Sequence, residues 1–294
     1  MTEFHLSAFS DEADSALDVQ LAALKRCRIS MMEIRGVNGK NVSELTDAEA
    51  RETAARLKDA GVSLSAMGSP YGKYPADEPF GPHLDEFRRG LELCGILGAK
   101  YMRMFSFYVP AGTEAKAWRD TVLERLDTML TLAEAAGVRL AHENEKGIYG
   151  DTDARCRDLK DTFGDRLDVI FDPANFVQCG VDTLNALDLL GSDITYAHIK
   201  DAYYEDGSVV PAGHGEGHVE ALLRALDARG GSFCLTLEPH LKVLEGLTSL
   251  QDEQLRHRYQ YPSAEAAFDA AANALKEQLQ KIGYTESEAG TWIR

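Results

Sequence analysis

The stretch VRLAHENEKGIYGDTDARCRDLKDTFGDRLDVIFD, residues 138–172, holds one complete structural repeat. It opens with a short apolar run ending in Glu143, passes through a helical segment over 152–163, and closes with a second apolar run ending in Asp172. Short runs rich in β-branched and aromatic residues read as strands, and apolar residues at three- and four-residue steps read as helices. Outward from this unit the pattern recurs in both directions. Strands are predicted to begin near Phe4 (FHLSAF), Ser30 (SMMEIR), Val62 (VSLSAM), Lys100 (KYMRMF), Val138 (VRLAHE), Asp168 (DVIFD), Ile194 (ITYAHI) and Phe233 (FCLTLE). Helices are predicted over 13–27, 47–60, 83–97, 114–136, 152–163, 182–190, 219–229 and 263–282, with spacings such as Leu17, Leu21 and Leu24. Gly61, Gly98 and Gly137 punctuate helix ends just ahead of a strand.

Eight strand–helix repeats, spaced from 26 residues (168 to 194) to 39 (194 to 233), require an all-parallel sheet. Closing that sheet gives an α/β fold of the (β/α)8 TIM-barrel type, whose usual size is about 250 residues. The alternative, a doubly wound open sheet, would carry a glycine-rich phosphate turn after the first strand, where this chain has Ser10-Asp11-Glu12-Ala13. We expect a single domain over 1–294, with a long polar excursion over 241–262 before the last helix.

The 294 residues are 44% hydrophobic and 27% charged, and 31 Lys and Arg against 48 Asp and Glu leave a formal charge of −17. A surface that negative repels phosphate backbones, so nucleic acid is not an expected partner. Five cysteines, odd in number and without a C-x-x-C, fit a reduced cytoplasmic chain and not a disulfide scaffold. No uninterrupted apolar run approaches the length of a membrane span, and the N-terminus has no signal-peptide pattern.

In a barrel the C-terminal strand ends meet at one mouth. There the sequence places Glu143, Asp172, His198 and Glu238, closing four consecutive strands, the fifth to the eighth. Each alone reads as readily as a solvated strand-end acid, or for His198 a core histidine, as it does as a ligand. Four on successive strands read as a metal site, because three carboxylates gathered in one cleft repel each other without a cation. This oxygen-rich set suits Mn²⁺ best, with Mg²⁺, Co²⁺ or Zn²⁺ as alternatives.

The segments HEN (142–144), FDPANF (171–176), HIKD (198–201), PAGHGEG (211–217) and LEPH (237–240) resemble the sugar isomerase/epimerase superfamily of xylose-isomerase-like barrels. That superfamily also includes inosose isomerases and dehydratases, ketose 3-epimerases and the endonuclease IV type of AP endonuclease. The resemblance covers nearly the whole barrel. It implies that Glu143, Asp172, His198 and Glu238 bind one divalent metal, and that Glu143 and Glu238 also do acid/base work. The implied activity is isomerisation or epimerisation of a keto-sugar or polyol-derived ketone by proton transfer through an enediolate. Elimination from the same carbanion, as in a lyase or dehydratase, is the second reading, and a sugar-binding barrel without turnover the third. Assembly as a homo-oligomer is compatible with each.

Five further residues are candidate substrate contacts. Lys200 lies two beyond His198 on the same strand face and reads equally as a solvated lysine; Asn175 and Lys146 belong to loops above the strands. Arg103 reads either as a substrate contact or as a buried partner of Glu33, itself expected in the lumen. Asp201 or a backbone carbonyl is expected to orient the second nitrogen of His198. His142 should point outward by period-two alternation. The run Gly213–Gly217 reads as an anion nest or as a plain turn, and no Lys or Arg accompanies it. Two positions depart from the ketose 3-epimerases, where a His and an Arg stand at the places of Asn175 and Tyr204. The several extra histidines of a three-zinc endonuclease are also missing.

Overall fold

Runs such as Leu167–Phe171, buried at every position, can be satisfied only with a layer on both faces, which is the environment of a parallel barrel strand. The computed structural model describes residues 2–241, 259, 261–287 and 290–294. Its barrel strands are β1 (Thr2–Ala8), β2 (Met31–Ile34), β3 (Ser63–Gly68), β4 (Tyr101–Met104), β5 (Arg139–Glu143), β6 (Leu167–Phe171), β7 (Ile194–Ile199) and β8 (Gly231–Leu237). They pair in parallel from β2 through β3 and on to β8, and β8 then pairs with β1. Leu6 stands opposite Leu235 and Glu143 opposite Ile170. β1 and β2 pack side by side to close the cylinder, without a backbone ladder between them among the described residues.

The outer layer is α1 (Leu17–Arg26), α2 (Asp47–Asp59), α3 (Phe80–Leu97), α4 (Ala115–Ala135), α5 (Asp153–Phe163), α6 (Pro173–Gln178), α7 (Thr183–Leu190), α8 (Val219–Arg229) and α9 (Ala264–Lys281). Local chemistry sets their ends. Thr46 and Glu49 form a reciprocal capping box on α2, Asp182 and Ser263 cap α7 and α9, and Gly98 ends α3 in the left-handed conformation.

Three features depart from the sequence expectation. The first helix begins at Leu17 and not at 13, because Ser10–Glu12 form a separate 3₁₀ turn and Asp14 accepts from Ala16 N–H. The short α6 was not expected, although Asp172 as cap and Pro173 in the first turn are its usual start signals. At the C-terminus, β9 (Thr285–Glu286) and β10 (Thr291–Ile293) form a hairpin, and β10 runs antiparallel to β1 with Trp292 opposite Phe4. The excursion expected over 241–262 lies outside the described residues except for Leu241, Tyr259, Tyr261 and Pro262.

Candidate metal centre

Side chains two apart on a strand share a face, so each lumen residue predicts the one above it. Ala141, Ile170 and Tyr196 pack together inside the barrel with Ala66. Glu143, Asp172 and His198 stand one step nearer the mouth on the same three strands, and Glu238 follows β8. All four are buried, and one ligand-type atom of each lies within 4.8 Å of one from every other. His198 Nδ1 is 3.0 Å from Glu143 Oε1 and 3.6 Å from Glu238 Oε2. Asp172 is held from below: Asn144 accepts its N–H at 2.9 Å and donates to its carbonyl at 2.9 Å, while its Oδ1 caps α6 at Asn175 N–H.

The other ring nitrogen of His198 faces Glu33, with Oε2 3.1 Å away, and Tyr196 donates to the second oxygen of Glu33 at 3.2 Å. Glu33, not Asp201 or a carbonyl, therefore orients His198. Arg103 pairs with Glu143 at 3.1 Å rather than with Glu33, and also donates to the carbonyls of Gly68 and Ser69. Lys200 is buried, with Nζ 3.0 Å from Asp172 Oδ2 and 3.1 Å from Glu238 Oε2. Asn175 donates to Glu143 Oε1 at 3.1 Å and to the Asn144 carbonyl at 2.8 Å. Lys146 sits on the exposed loop after β5. Tyr204 donates its hydroxyl to the Val181 carbonyl at 2.8 Å. His142 is buried against Ser106 at 2.9 Å.

Asp201 has a different task. Its carboxylate accepts the N–H groups of Gly213, Gly215 and Gly217 at 2.8–3.0 Å. The glycine run is thus an anion nest whose anion belongs to this chain.

Sequence reasoning passed over Arg35. Its guanidinium takes Asp11 through both oxygens, reaches Glu12 at 3.1 Å and touches Glu238 Oε1 at 3.3 Å. The signal was available, since Arg35 lies two residues beyond Glu33 and shares its face. Phe9 contributes as well: the Arg35 and Arg103 guanidiniums lie 4.6 and 4.9 Å from its ring centroid, and the His198 ring meets it edge-on at 5.1 Å.

Burial pushes the Glu143 carboxyl up, but the charges of His198 and Arg103 outweigh it and bring it down to about 2. Glu238 is likewise held well below the usual range, where Lys200 and His240 overcome its burial. For Asp172 burial wins, and with Glu238 and Glu143 nearby it is pushed up to about 7 against Lys200. His198 is raised well above its usual value, because Glu143 and Glu33 outweigh desolvation.

A divalent cation fits these residues. Asp172 Oδ2 and His198 Nδ1 are buried and carry no hydrogen bond, although charged groups stand near both. Their charged neighbours stand at 3.0 Å without a well-directed hydrogen bond, and a cation would serve both atoms. Around them the carboxylates of Asp11, Glu12, Glu33, Glu143, Asp172 and Glu238 outnumber the permanent cations Arg35, Arg103 and Lys200.

A family model described as the xylose isomerase-like TIM barrel matches residues 21–279. A search of curated proteins gives no match. Among solved structures, the chain is similar to the IolI protein with a bound zinc atom, with 19% identity, TM-score 0.74, and coverage of 95% of this chain and 98% of that one. It is similar to D-psicose 3-epimerase in the presence of D-fructose, at 17% identity, TM-score 0.73, and 95% and 99% coverage. It is also similar to the probable 3-DHS dehydratase AsbF from Bacillus anthracis, at 13% identity, TM-score 0.68, and 94% and 99% coverage. At these identities the structural likeness speaks for the fold, and the family model for membership. The chain belongs to the xylose isomerase-like TIM-barrel family.

Proposed function

We propose that this protein is a divalent-metal-dependent isomerase or epimerase of a keto-sugar or polyol-derived ketone, working by proton transfer through an enediolate. The observation that carries the reading is the pairing of Glu143 and Glu238. Both flank His198 Nδ1, and permanent cations pair with each: Arg103 with Glu143, and Lys200 and Arg35 with Glu238, which favours the ionised carboxylates. Ionised carboxylates are the form that accepts a proton from carbon. Glu143, Asp172, His198 and Glu238 would hold the ion, with Mn²⁺ the best match to the donor set. When bound, the ion supplies Lewis-acid polarisation of the substrate's carbonyl and hydroxyl oxygens. Glu143 or Glu238 would take the proton from carbon and, protonated by that step, return it at the neighbouring carbon; return on the opposite face would need the other carboxyl to have first taken a proton from water. Lys200, which pairs with Asp172 and Glu238, would donate to a substrate oxygen. Arg103 and Glu33 act through Glu143 and His198 and not on substrate; Asn175 likewise holds Glu143.

The nest, filled by Asp201, is not open to a substrate phosphate. No helix of the described residues is long and apolar enough to cross a membrane, and all five cysteines are free, which suits a cytoplasmic enzyme.

One observation favours elimination as the second reading. The His and Arg that contact substrate hydroxyls in ketose 3-epimerases are replaced here by Asn175 and Tyr204, and both of these side chains are bonded within the chain. The test is incubation of candidate ketoses in D₂O with Mn²⁺. Deuterium gained at carbon with an unchanged formula supports isomerisation, and loss of water or an aglycone supports elimination. Full activity after exhaustive chelation would overturn the metal-dependent reading.

A further inference from the structure

The barrel is laced by backbone ladders from β2 round to β1, and the seam between β1 and β2 has none among the described residues. At the mouth that seam is bridged by side chains. Arg35 follows β2, Asp11 and Glu12 follow β1, and Glu238 follows β8, the neighbour of β1 on its other edge. Arg35 Nε and Nη2 take the two oxygens of Asp11 at 2.8 and 3.1 Å, and Nη2 also reaches Glu12 at 3.1 Å. The face of the guanidinium lies on Phe9, and only 7% of the residue is exposed. These contacts fix the guanidinium before Glu238 is considered, and one nitrogen, Nη1, is left for Glu238 Oε1 at 3.3 Å.

The Glu238 carboxylate is divided accordingly. Oε1 faces Arg35 and His240, while Oε2 faces Lys200 and His198 Nδ1. A carboxylate free to rotate would offer either oxygen to either side. The guanidinium, locked by its fork on Asp11, holds one through Nη1.

We propose that Arg35 is a positioning residue for Glu238: it holds Oε1 on the seam side so that Oε2 is presented to Glu143, Asp172 and His198. It rests on the metal-binding reading of those four residues. Asp11 is the strut that locks Arg35, and Gly36 is small so that Asp11 can approach. A Cβ on Gly36 would stand 2.8 Å from Asp11 Oδ2 and 3.1 Å from its Cβ, and the backbone there has no positive φ to forbid alanine.

The test uses two substitutions that leave the charge of the site unchanged, Arg35→Lys and Gly36→Ala, with Mn²⁺ affinity measured on the full chain by electron paramagnetic resonance. Thermal unfolding is followed in parallel. Each variant is expected to bind Mn²⁺ roughly tenfold or more weakly while still folded, as for other residues that orient ligands from outside. A counter-ion role would survive Arg35→Lys, and a purely structural clamp would lower Tm with Mn²⁺ affinity intact. Wild-type affinity in both folded variants would therefore overturn the proposal. If Arg35→Lys fails to fold, Gly36→Ala alone decides in the same way. A wild-type chain that binds no Mn²⁺, Mg²⁺, Co²⁺ or Zn²⁺ is a failure of the metal-centre reading instead, and is seen before any variant is made.

Discussion

Glu33 Oε2 stands 3.1 Å from Nε2 of His198, while Nδ1 of the same ring faces Glu143 and Glu238. The carboxylate therefore fixes which imidazole nitrogen meets the cluster. Tyr196 in turn holds Glu33. An amide at position 33 would keep the volume but could present its N–H to the ring and turn the imidazole preference round. Glu33→Gln is expected to weaken Mn²⁺ binding about 10- to 100-fold with the fold retained. Titration calorimetry against Mn²⁺ checks it, and unchanged affinity would show that Glu33 is only a buried partner.

The four clustered residues should not respond alike. Asp172 Oδ1 is already taken by the Asn175 N–H, so Asp172→Asn keeps its oxygen there and turns an NH₂ toward the cluster, while His198→Ala removes the only nitrogen donor of the set. Both should abolish detectable metal binding. Glu238→Gln keeps an oxygen toward the site, so it should retain part of the metal affinity while losing proton exchange in D₂O. Equal metal loss in all three would contradict the division of roles.

The fold was legible because its signals are periodic and local. Buried runs such as Leu167–Phe171 and glycine stops such as Gly98 carry their meaning within a few residues. Glu143, Asp172, His198 and Glu238 were legible once the strands were, since a barrel brings all strand ends to one mouth. Asp201 was misread because its partners lie 12 to 16 residues on, and no spacing reveals that a glycine nest is filled by its own chain. Arg35 was missed for a related reason. Its partners follow β1 across the seam and β8 beyond it, and only closure of the barrel brings Asp11, Glu12 and Glu238 to it.

The nest around Asp201 gives a stability prediction. Asp201→Ala would orphan the N–H groups of Gly213, Gly215 and Gly217, and each such loss costs on the order of 1 kcal/mol or more. A total of about 3 kcal/mol is expected in urea unfolding. Gly215→Ala should be comparably harmful, because its Cβ would collide with the Asp201 carboxylate and the Ala202 carbonyl. Inorganic phosphate should leave the wild-type Tm unchanged, and a phosphate-dependent rise would show that the nest accepts an outside anion.

His83 gives acid sensitivity away from the candidate centre. It lies in α3, is 4% exposed, and its Nε2 accepts the Gly72 N–H at 2.9 Å, a bond that requires neutral imidazole. Burial, reinforced by the Arg125 charge, brings it down from an ordinary 6.5 to about 4. Above pH 6.5 the ring is neutral whether folded or unfolded, and it contributes no pH dependence. Between about 6.5 and 4 the unfolded chain binds a proton that the folded one refuses, so stability falls by about 1.4 kcal/mol per pH unit from this group. His142, buried and likewise lowered to about 4, adds a parallel slope. His83→Gln keeps an acceptor for Gly72 and cannot titrate. On moving from about pH 7 to about pH 5 in urea unfolding, it should lose about 2 kcal/mol less stability than wild type. An equal loss in both proteins would mean that His83 is already protonated in the fold, and that the Gly72 contact does not hold it neutral.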